Sequence, residues 1–354
     1  MNLVKRTQAK ESYRLIINMI SKGEEVKGQG VGSAYFELIK LIELKLSDKI
    51  KLTYNNAKEA DFNHIHTIHP KCFWQMKTSK EPSCMHVHFL PETVEGSIKL
   101  PKIVQSFFYH YFIHFYKTAE ELIVVNPIFI EPLKQYGIDK ERITYIPNVV
   151  ATKDFYPKEI NEPSELFKKH HLSLDKFTVI SVGQVQTRKG VLDFIEIAKQ
   201  LPEVRFIWAG GFSFGKITDG YDQLTAVINN PPSNVKFVGI VDREQMNELY
   251  NACDLLLTTS YNELFPVSIL EAVNSGLPIL VRDLDLYEKI YFTDYLRANN
   301  NEAFVDYIKE LMTNPETMAK AKAASNKIAT DYSEENVAQL WDDYYTQFYQ
   351  RWVK

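Results

Sequence analysis

Short apolar runs alternate with stretches of helical periodicity over the first 145 residues. The runs are five to seven residues long and rich in Ile, Val and Leu, which is typical of buried strands. A helical stretch at residues 33–46 follows the first run. Strands separated by helices predict βαβ units and therefore a parallel sheet. The predicted strands lie at residues 14–20, 50–54, 63–68, 84–89 and 121–125.

The same alternation begins again after residue 175. The segment before it, residues 145–165, is rich in Pro, Asn and charged side chains, which predicts a linker. We therefore predict an α/β fold of two doubly wound parallel-sheet domains with a cleft between them. They occupy residues 1–160 and 161–332, and a capped amphipathic helix at 333–354 follows. The second series of predicted strands lies at residues 176–183, 204–211, 235–239, 254–260 and 277–281, with a helix at 190–201.

Composition agrees with a globular protein of two domains, because 45% of the 354 residues are hydrophobic and 24% are charged. No apolar run is long enough to span a bilayer and no signal-peptide core is visible, so we expect a cytoplasmic protein. The three widely spaced cysteines predict reduced thiols. The net charge of -4 argues against nucleic-acid binding. Residues 1–160 nevertheless hold 22 Lys+Arg against 18 Asp+Glu, and this excess of +4 favours an anionic membrane surface as a partner.

The segment SYNELFPVSILEAVNSGLPIL, at residues 260–280, carries two glutamates eight positions apart. Pro266 can begin a helix at the end of the preceding strand, which places Glu263 in the loop and Glu271 about two turns along the helix. Ligands of open α/β sheets bind beyond the carboxyl ends of the strands. Free amides near Leu264 and Phe265 favour an anion such as a nucleotide diphosphate there, with both carboxylates placed to accept hydrogen bonds from hydroxyl groups.

This segment resembles the E-x7-E motif of retaining glycosyltransferases of the GT-B fold, specifically glycosyltransferase family 4. The resemblance covers nearly the whole chain. ISVGQVQTRKGVLDFIEIAKQLP resembles the phosphate loop of the second domain, YIPNVV the linker, and VKFVGIVDREQMNELYNACDLLLTTSYNELFP the nucleotide-binding run. The family fold consists of two Rossmann-like domains, with the C-terminal helix crossing back to the first. The implied donor is UDP-glucose or UDP-galactose, and no cofactor or metal is required.

The resemblance also implies roles for individual residues of the second domain. Glu271 would bind the ribose hydroxyls, Glu263 the hexose hydroxyls, and the amides of Leu264 and Phe265 the sugar and diphosphate. Lys189 matches the phosphate-binding lysine, which with Glu263 is a candidate catalytic residue. The other donor-binding positions that we predict are Gly183, Arg188 and Val241.

Two positions depart from the family pattern. Gln184 stands where many members have an arginine, and we consider Arg188 as its replacement. Leu264 stands where a glycine is usual, which leaves less room near the transferred sugar.

The first domain contributes a third candidate catalytic residue, His88. It lies nearest the end of the predicted strand 84–89 and matches a family histidine close to the transferred sugar. Asn126 and Asn148 match cleft-lining positions of the family on the acceptor side. Gly30 and Gly32 match a glycine pair in a loop that approaches the donor diphosphate, with the helix expected to begin at Ser33. A flexible turn is the alternative interpretation of these glycines.

Histidines also cluster in the run NHIHTIHP. His64 and His66 alternate along a predicted strand and share a face, and His69 follows. Neither a cysteine nor a carboxylate completes a metal site at these positions, so we predict no metal.

Aromatic side chains are unusually dense between residues 99 and 122. At helical spacing several of them fall on one face, which fits either a core helix or an interfacial helix that enters the lipid headgroup layer. We predict membrane contact through Lys102, Phe107, Phe108, Phe112 and Phe115.

Three segments of the first half resemble a narrower group: VKGQGVGSAYFELIK, HVHFLPETVEGSIKLP and VVNPIFIEPLKQYGI. They are similar to bacterial glycolipid synthases that add a second hexose to glucosyl-diacylglycerol. Such an enzyme would be peripheral on the inner face of the cell membrane, and its dihexosyl-diacylglycerol product would be a membrane glycolipid or lipoteichoic acid anchor. The alternatives are a soluble family 4 transferase acting on polysaccharide or protein, and a non-catalytic subunit that binds a sugar nucleotide.

Overall fold

A computed structural model describes residues 14–22, 30–56, 60–94, 102–212, 215 and 218–354. The described residues form two six-stranded sheets, and all recorded strand pairs are parallel. The first sheet has the order β2-β1-β3-β4-β5-β6. Its strands, numbered along the chain, are β1 Leu15–Ile20, β2 Ile50–Tyr54, β3 Phe62–Ile65, β4 Ser83–Val87, β5 Glu121–Val124 and β6 Ile143–Tyr145.

Helices cover both faces of this sheet. The described helices of the first half are α1 Gly30–Lys45, α2 Pro70–Thr78, α3 Pro91–Val94, α4 Lys102–Thr118 and α5 Ile130–Gln135. Helix α6, Glu165–Lys169, comes between the last strand of the first sheet and the first strand of the second along the chain. Met85 and Leu122 point to the face that packs against Phe115 of α4. Ile17 and Phe62 point to the opposite face, which α1 covers. The central strands β3, β4 and β5 are buried along their whole length, as expected for parallel strands covered by helices on both faces, whereas the edge strand β2 is partly exposed.

The second sheet has the order β12-β11-β10-β7-β8-β9. This order matches the Rossmann arrangement, 3-2-1-4-5-6. The first three strands run from β7 toward one edge of the sheet and the last three from β10 toward the other edge, so β7 and β10 are neighbours at its centre. Its strands are β7 Thr178–Val182, β8 Arg205–Ala209, β9 Val235–Gly239, β10 Leu255–Thr258, β11 Ile279–Arg282 and β12 Leu296–Ala298. Its helices are α7 Val191–Gln200, α8 Tyr221–Asn229, α9 Arg243–Asn251, α10 Val267–Asn274, α11 Asp285–Glu288, α12 Asn301–Thr313 and α13 Pro315–Asp331.

The last helix, α14 Glu334–Trp352, returns to the first sheet. Ser333 caps it as predicted, because its hydroxyl accepts the N–H of Asn336. The helix buries Trp341, Tyr345 and Phe348 against α1 and the strands beneath.

The predicted two-domain, doubly wound architecture is confirmed. Three details differ from the predictions. Strands β6 and β12 were not predicted, because each has only three residues and too little pattern to detect. Strand β3 ends at Ile65, before His66, and α1 begins at Gly30 instead of Ser33.

The three cysteines are free and buried, which agrees with the prediction of reduced thiols.

Candidate active site

The loops that follow β7 and β10 meet at the carboxyl edge of the second sheet. A 3-10 turn, Thr187–Lys189, precedes α7, and Gly190 joins the two with φ of +69°. A Cβ at this glycine would lie 2.2 Å from the carbonyl oxygen of Thr259. The Thr259 hydroxyl also donates to the carbonyl of Gly190, at 2.9 Å. The close approach holds Lys189 beside the end of β10.

Lys189 and Glu263 form an ion pair, with 2.6 Å between Nζ and Oε1. Both side chains are largely buried. Burial disfavours the charged carboxylate, but the charges of Lys189 and Arg188, with hydrogen bonds from Lys189 and Ser260, hold the pKa of Glu263 below its usual range. Arg188 donates to the carbonyl of Asn262, at 3.1 Å, so both basic residues border the same loop. The site therefore presents cations beside an ionised carboxylate.

Glu271 lies in α10 with both carboxylate oxygens engaged. Arg243 donates to Oε1 at 2.8 Å, and the Tyr250 hydroxyl donates to Oε2 at 2.9 Å. Burial raises the pKa of Glu271, and the two partners oppose that effect. Each oxygen has a second lone pair, so the carboxylate can also accept hydrogen bonds from ligand hydroxyls.

Arg243 also reaches across to the first half of the chain. Its Nη2 lies 2.8 Å from Oε1 of Glu37, a buried residue of α1. The other oxygen of Glu37 accepts the N–H of Ala151, at 2.6 Å. One guanidinium thus joins a carboxylate of each half. Arg243 and Glu37 were not among the residues predicted from the sequence, where the only available signal was an acidic residue within the apolar pattern of α1.

The remaining cleft residues occupy the ends of other strands. Asn126 follows β5, and its side-chain amide donates across the halves to the carbonyl of Leu264, at 2.9 Å. Leu264 is half-buried, while the Phe265 ring is buried 5.5 Å from that of Tyr332. The other predicted cleft and donor-binding positions are Asn148, buried after β6; Val241, half-buried between β9 and α9; and Gly183, directly after β7.

His88 lies directly after β4 and is buried. Its Nε2 is 3.4 Å from Nδ1 of His66. Burial lowers the pKa of His88 to about 3, so the ring is neutral at physiological pH. A neutral imidazole at this position can donate one hydrogen bond without carrying charge.

Comparison with known proteins agrees with this geometry. The profile of the family described as "Glycosyl transferases group 1" matches residues 163–328, which include Lys189, Glu263 and Glu271. Alpha-galactosylglucosyldiacylglycerol synthase of Streptococcus pneumoniae is 43% identical over 95% of this chain and 90% of its own length. Processive diacylglycerol alpha-glucosyltransferase of Acholeplasma laidlawii is 25% identical over 84% of this chain and 87% of its own.

The chain belongs to the group 1 glycosyl transferases. Solved structures agree on the fold. Sucrose-phosphate synthase from Thermosynechococcus elongatus has a TM-score of 0.75 at 15% identity, covering 95% of this chain and 100% of that one. Anabaena HepE in complex with UDP-glucose has a TM-score of 0.74 at 16% identity, covering 94% and 100%. The fold of this glycosyltransferase is therefore GT-B.

The structure corrects the predicted position of the two glycines in this glycosyltransferase. Gly30 is the first residue of α1 and Gly32 lies in its first turn, so neither lies in a loop before the helix. Glycine costs about 1 kcal/mol in a helix interior. The first helical turn tolerates it better because the N–H groups there lack intrahelical partners in any case. The preceding residues 23–29 lie outside the described part of the chain.

The aromatic helix α4 divides into an exposed and a buried end. Phe107 is 72% exposed and Phe108 is 40% exposed. Phe112 is half-buried, and Phe115 is fully buried, with its ring 5.1 Å from that of Phe73. The prediction that Phe115 contacts membrane is therefore wrong, because α4 turns that residue into the core. Lys102 begins the helix, and its side chain lies outside the described part of the chain.

In the part of the chain that the structure describes, every helix is too short or too polar to cross a membrane.

Proposed function

We propose that this glycosyltransferase moves glucose or galactose from a UDP-sugar to a membrane glycolipid, α-glucosyl-diacylglycerol. The product would be a dihexosyl-diacylglycerol. The observation that carries the proposal is the Lys189–Glu263 pair at the edge of the second sheet, in a chain 43% identical to a galactosylglucosyldiacylglycerol synthase over 95% of its length. The pair combines a cation for phosphate with a carboxylate for sugar hydroxyls.

The donor would lie across the carboxyl edge of the second sheet. Lys189 and Arg188 would neutralise the diphosphate, and the amides at Leu264 and Phe265 would donate to its oxygens. Glu263 would accept hydrogen bonds from the hexose, and Glu271 from the ribose. These groups supply positioning and stabilisation of the charge that develops on the leaving phosphate.

We propose further that the transferred sugar keeps its anomeric configuration, as in the retaining reaction of family 4 enzymes. The acceptor hydroxyl would attack on the face that UDP leaves, and the departing phosphate would take its proton. His88, neutral because it is buried, would donate a hydrogen bond near the transferred sugar. Because basic side chains and amides can balance the diphosphate charge, we propose that transfer needs no metal at that position.

The first domain, which we propose binds the acceptor, has a cavity of about 590 Å³. Trp74 of α2, which borders this cavity, is 68% exposed. An exposed indole beside lysines suits the boundary between a sugar headgroup and a lipid surface. Helix α2 packs against α4 through Phe73, so Trp74 and the exposed end of α4 belong to neighbouring helices. The cavity is lined by Lys22, Asn55, Pro70, Lys71, Trp74 and Gln75.

The decisive experiment incubates purified protein with vesicles containing α-glucosyl-diacylglycerol and either UDP-glucose or UDP-galactose. Mass spectrometry of the extracted lipids should show one added hexose from one of the two donors. Brief treatment with EDTA should leave the rate unchanged. Absence of both lipid products, with transfer to a polysaccharide or protein acceptor, would instead support a soluble transferase. Donor binding without any transfer would support a non-catalytic subunit.

The exposed end of α4 should control membrane binding. Replacing Phe107 and Phe108 together by Ser is expected to lower the vesicle partition coefficient at least about tenfold, because burying one Phe side chain is worth about 1.5–3 kcal/mol. Thermal stability should stay nearly unchanged, since both side chains are exposed. Co-sedimentation with anionic vesicles measures the effect. Phe115→Ser serves as the contrasting variant and should lower Tm instead. Equal sedimentation of the double variant and the wild type would exclude this surface as the membrane contact.

Arg243 should support donor binding through Glu271. Arg243→Ala is expected to raise KM for the UDP-sugar about tenfold with a smaller change in kcat, since a charge-assisted hydrogen bond contributes about 1.5–3 kcal/mol. Initial rates at varied donor concentration measure this. Arg297→Ala removes an exposed ion pair with Glu288 and should leave KM unchanged. A lower KM for Arg243→Ala would show that Arg243 competes with the donor for Glu271.

A further inference from the structure

Histidines in β3 and β4 and directly after them form a buried row on the face of the first sheet that α1 and α14 cover. The register pairs Ile65 with Met85, so the next residues, His66 and His86, lie side by side with ring centres 4.9 Å apart. The His64 ring lies 4.2 Å from that of His66, and the His88 ring 4.2 Å from that of His86. All four side chains are buried. The sequence predicted His64 and His66 on one face, but it could not show that β4 adds a third histidine to them.

Several nitrogens of this row have no hydrogen-bond partner. They are Nε2 of His64, Nε2 of His66 and both ring nitrogens of His86. Buried polar groups in folded proteins are nearly always paired, so a group of unpaired nitrogens at one place indicates a ligand. Ligating nitrogens of these three residues all lie within 4.8 Å of one another. A bound ion would draw these nitrogens closer together, to metal–nitrogen distances of about 2.0–2.1 Å.

We propose that His64, His66 and His86 bind a divalent transition-metal ion of the zinc type. Imidazole donors select such ions over Mg²⁺ and Ca²⁺, which prefer oxygen. Three protein ligands leave one position of a tetrahedral ion for water. The ion lies inside the first domain, apart from the residues that would hold the donor diphosphate, so it would take no part in balancing the diphosphate charge.

The neighbours of these histidines provide the outer contacts that zinc ligands usually have. Nδ1 of His64 lies 2.8 Å from the Tyr345 hydroxyl, and with its proton there it donates to that oxygen and leaves Nε2 free for the metal. Nδ1 of His66 lies 3.4 Å from Nε2 of His88 and can donate in the same way. The ion would thus tie β3 to β4 and α14. It would also fix His88 in the tautomer that carries its proton on Nδ1.

Metal content tests the site directly. Protein purified with an affinity tag other than polyhistidine, from zinc-supplemented cells, should contain about one zinc ion per chain by elemental analysis. His64→Gln and His86→Gln should lose most of that zinc. His110→Ala, which removes an exposed histidine of α4, should retain it. Zinc retained at the wild-type level by the double variant His64→Gln/His86→Gln would place the ion elsewhere and overturn the proposal.

A second test, a Co²⁺ titration followed by visible absorption, uses wild-type protein and does not depend on glycosyl transfer. Metal-free wild-type protein, prepared by prolonged chelation, should develop the visible absorption bands of tetrahedral Co²⁺ when titrated with that ion. Zinc should then displace the bands and raise Tm by several degrees, as a ligand of the native state does. A metal-free wild type that shows neither tetrahedral Co²⁺ bands nor a Tm shift would overturn the proposal, even if every histidine variant fails to fold.

Discussion

Lys189→Met is expected to lower kcat for hexose transfer about 10²–10³-fold, the effect of removing one preorganised group that stabilises developing charge. Lys189 lies 2.6 Å from Glu263 and is held there by the close contact of Gly190 with Thr259. It would face the charge that develops on the departing diphosphate. Steady-state transfer to glycolipid vesicles measures the loss. Lys199→Met removes an exposed lysine from neighbouring α7 and should keep full activity.

A loss of stability could imitate this effect, because removing one partner leaves the buried carboxylate of Glu263 uncompensated. The double variant Lys189→Met/Glu263→Gln removes both charges. The double variant should reverse most of the decrease in Tm that Lys189→Met causes, while its rate of hexose transfer should stay as low as that of the single variant. If activity returned together with Tm, Lys189 would have a structural role only, and our assignment to the diphosphate would be wrong.

Trp341→Ala is expected to lower the free energy of unfolding by about 3–5 kcal/mol, the usual cost of truncating a buried Trp. Trp341 of α14 is 1% exposed, and its ring lies 5.1 Å from that of Tyr345 and 5.4 Å from that of His64. The side chain thus joins the last helix to the first sheet. Denaturant unfolding followed by circular dichroism measures the change.

Leu340 is the matched control, since it lies on the same helix and is 43% exposed. Leu340→Ala should change the unfolding free energy by no more than about 0.5 kcal/mol. A loss below about 1 kcal/mol for Trp341→Ala would mean that α14 contributes little to the stability of the first domain.

The order of strands and helices could be predicted from the sequence, because each element buries its apolar side chains at its own period. The helix cap at Ser333 and the position of Glu263 before α10 were local signals of the same kind. Very short strands such as β6 carry too few residues for a period to show. The start of α1 was predicted at Ser33 and not at Gly30, because glycine has a low helix propensity.

The sequence by itself determined the two-domain fold and the residues that follow β7 and β10, since these depend on local periodicity and on short segments of chain. Only the tertiary structure decided which distant groups meet. It turned Phe115 into the core, joined Arg243 to Glu37, and placed His86 beside His66. The physical reason is that strand order, register and helix packing bring together residues far apart in the chain, and no local period records those neighbours.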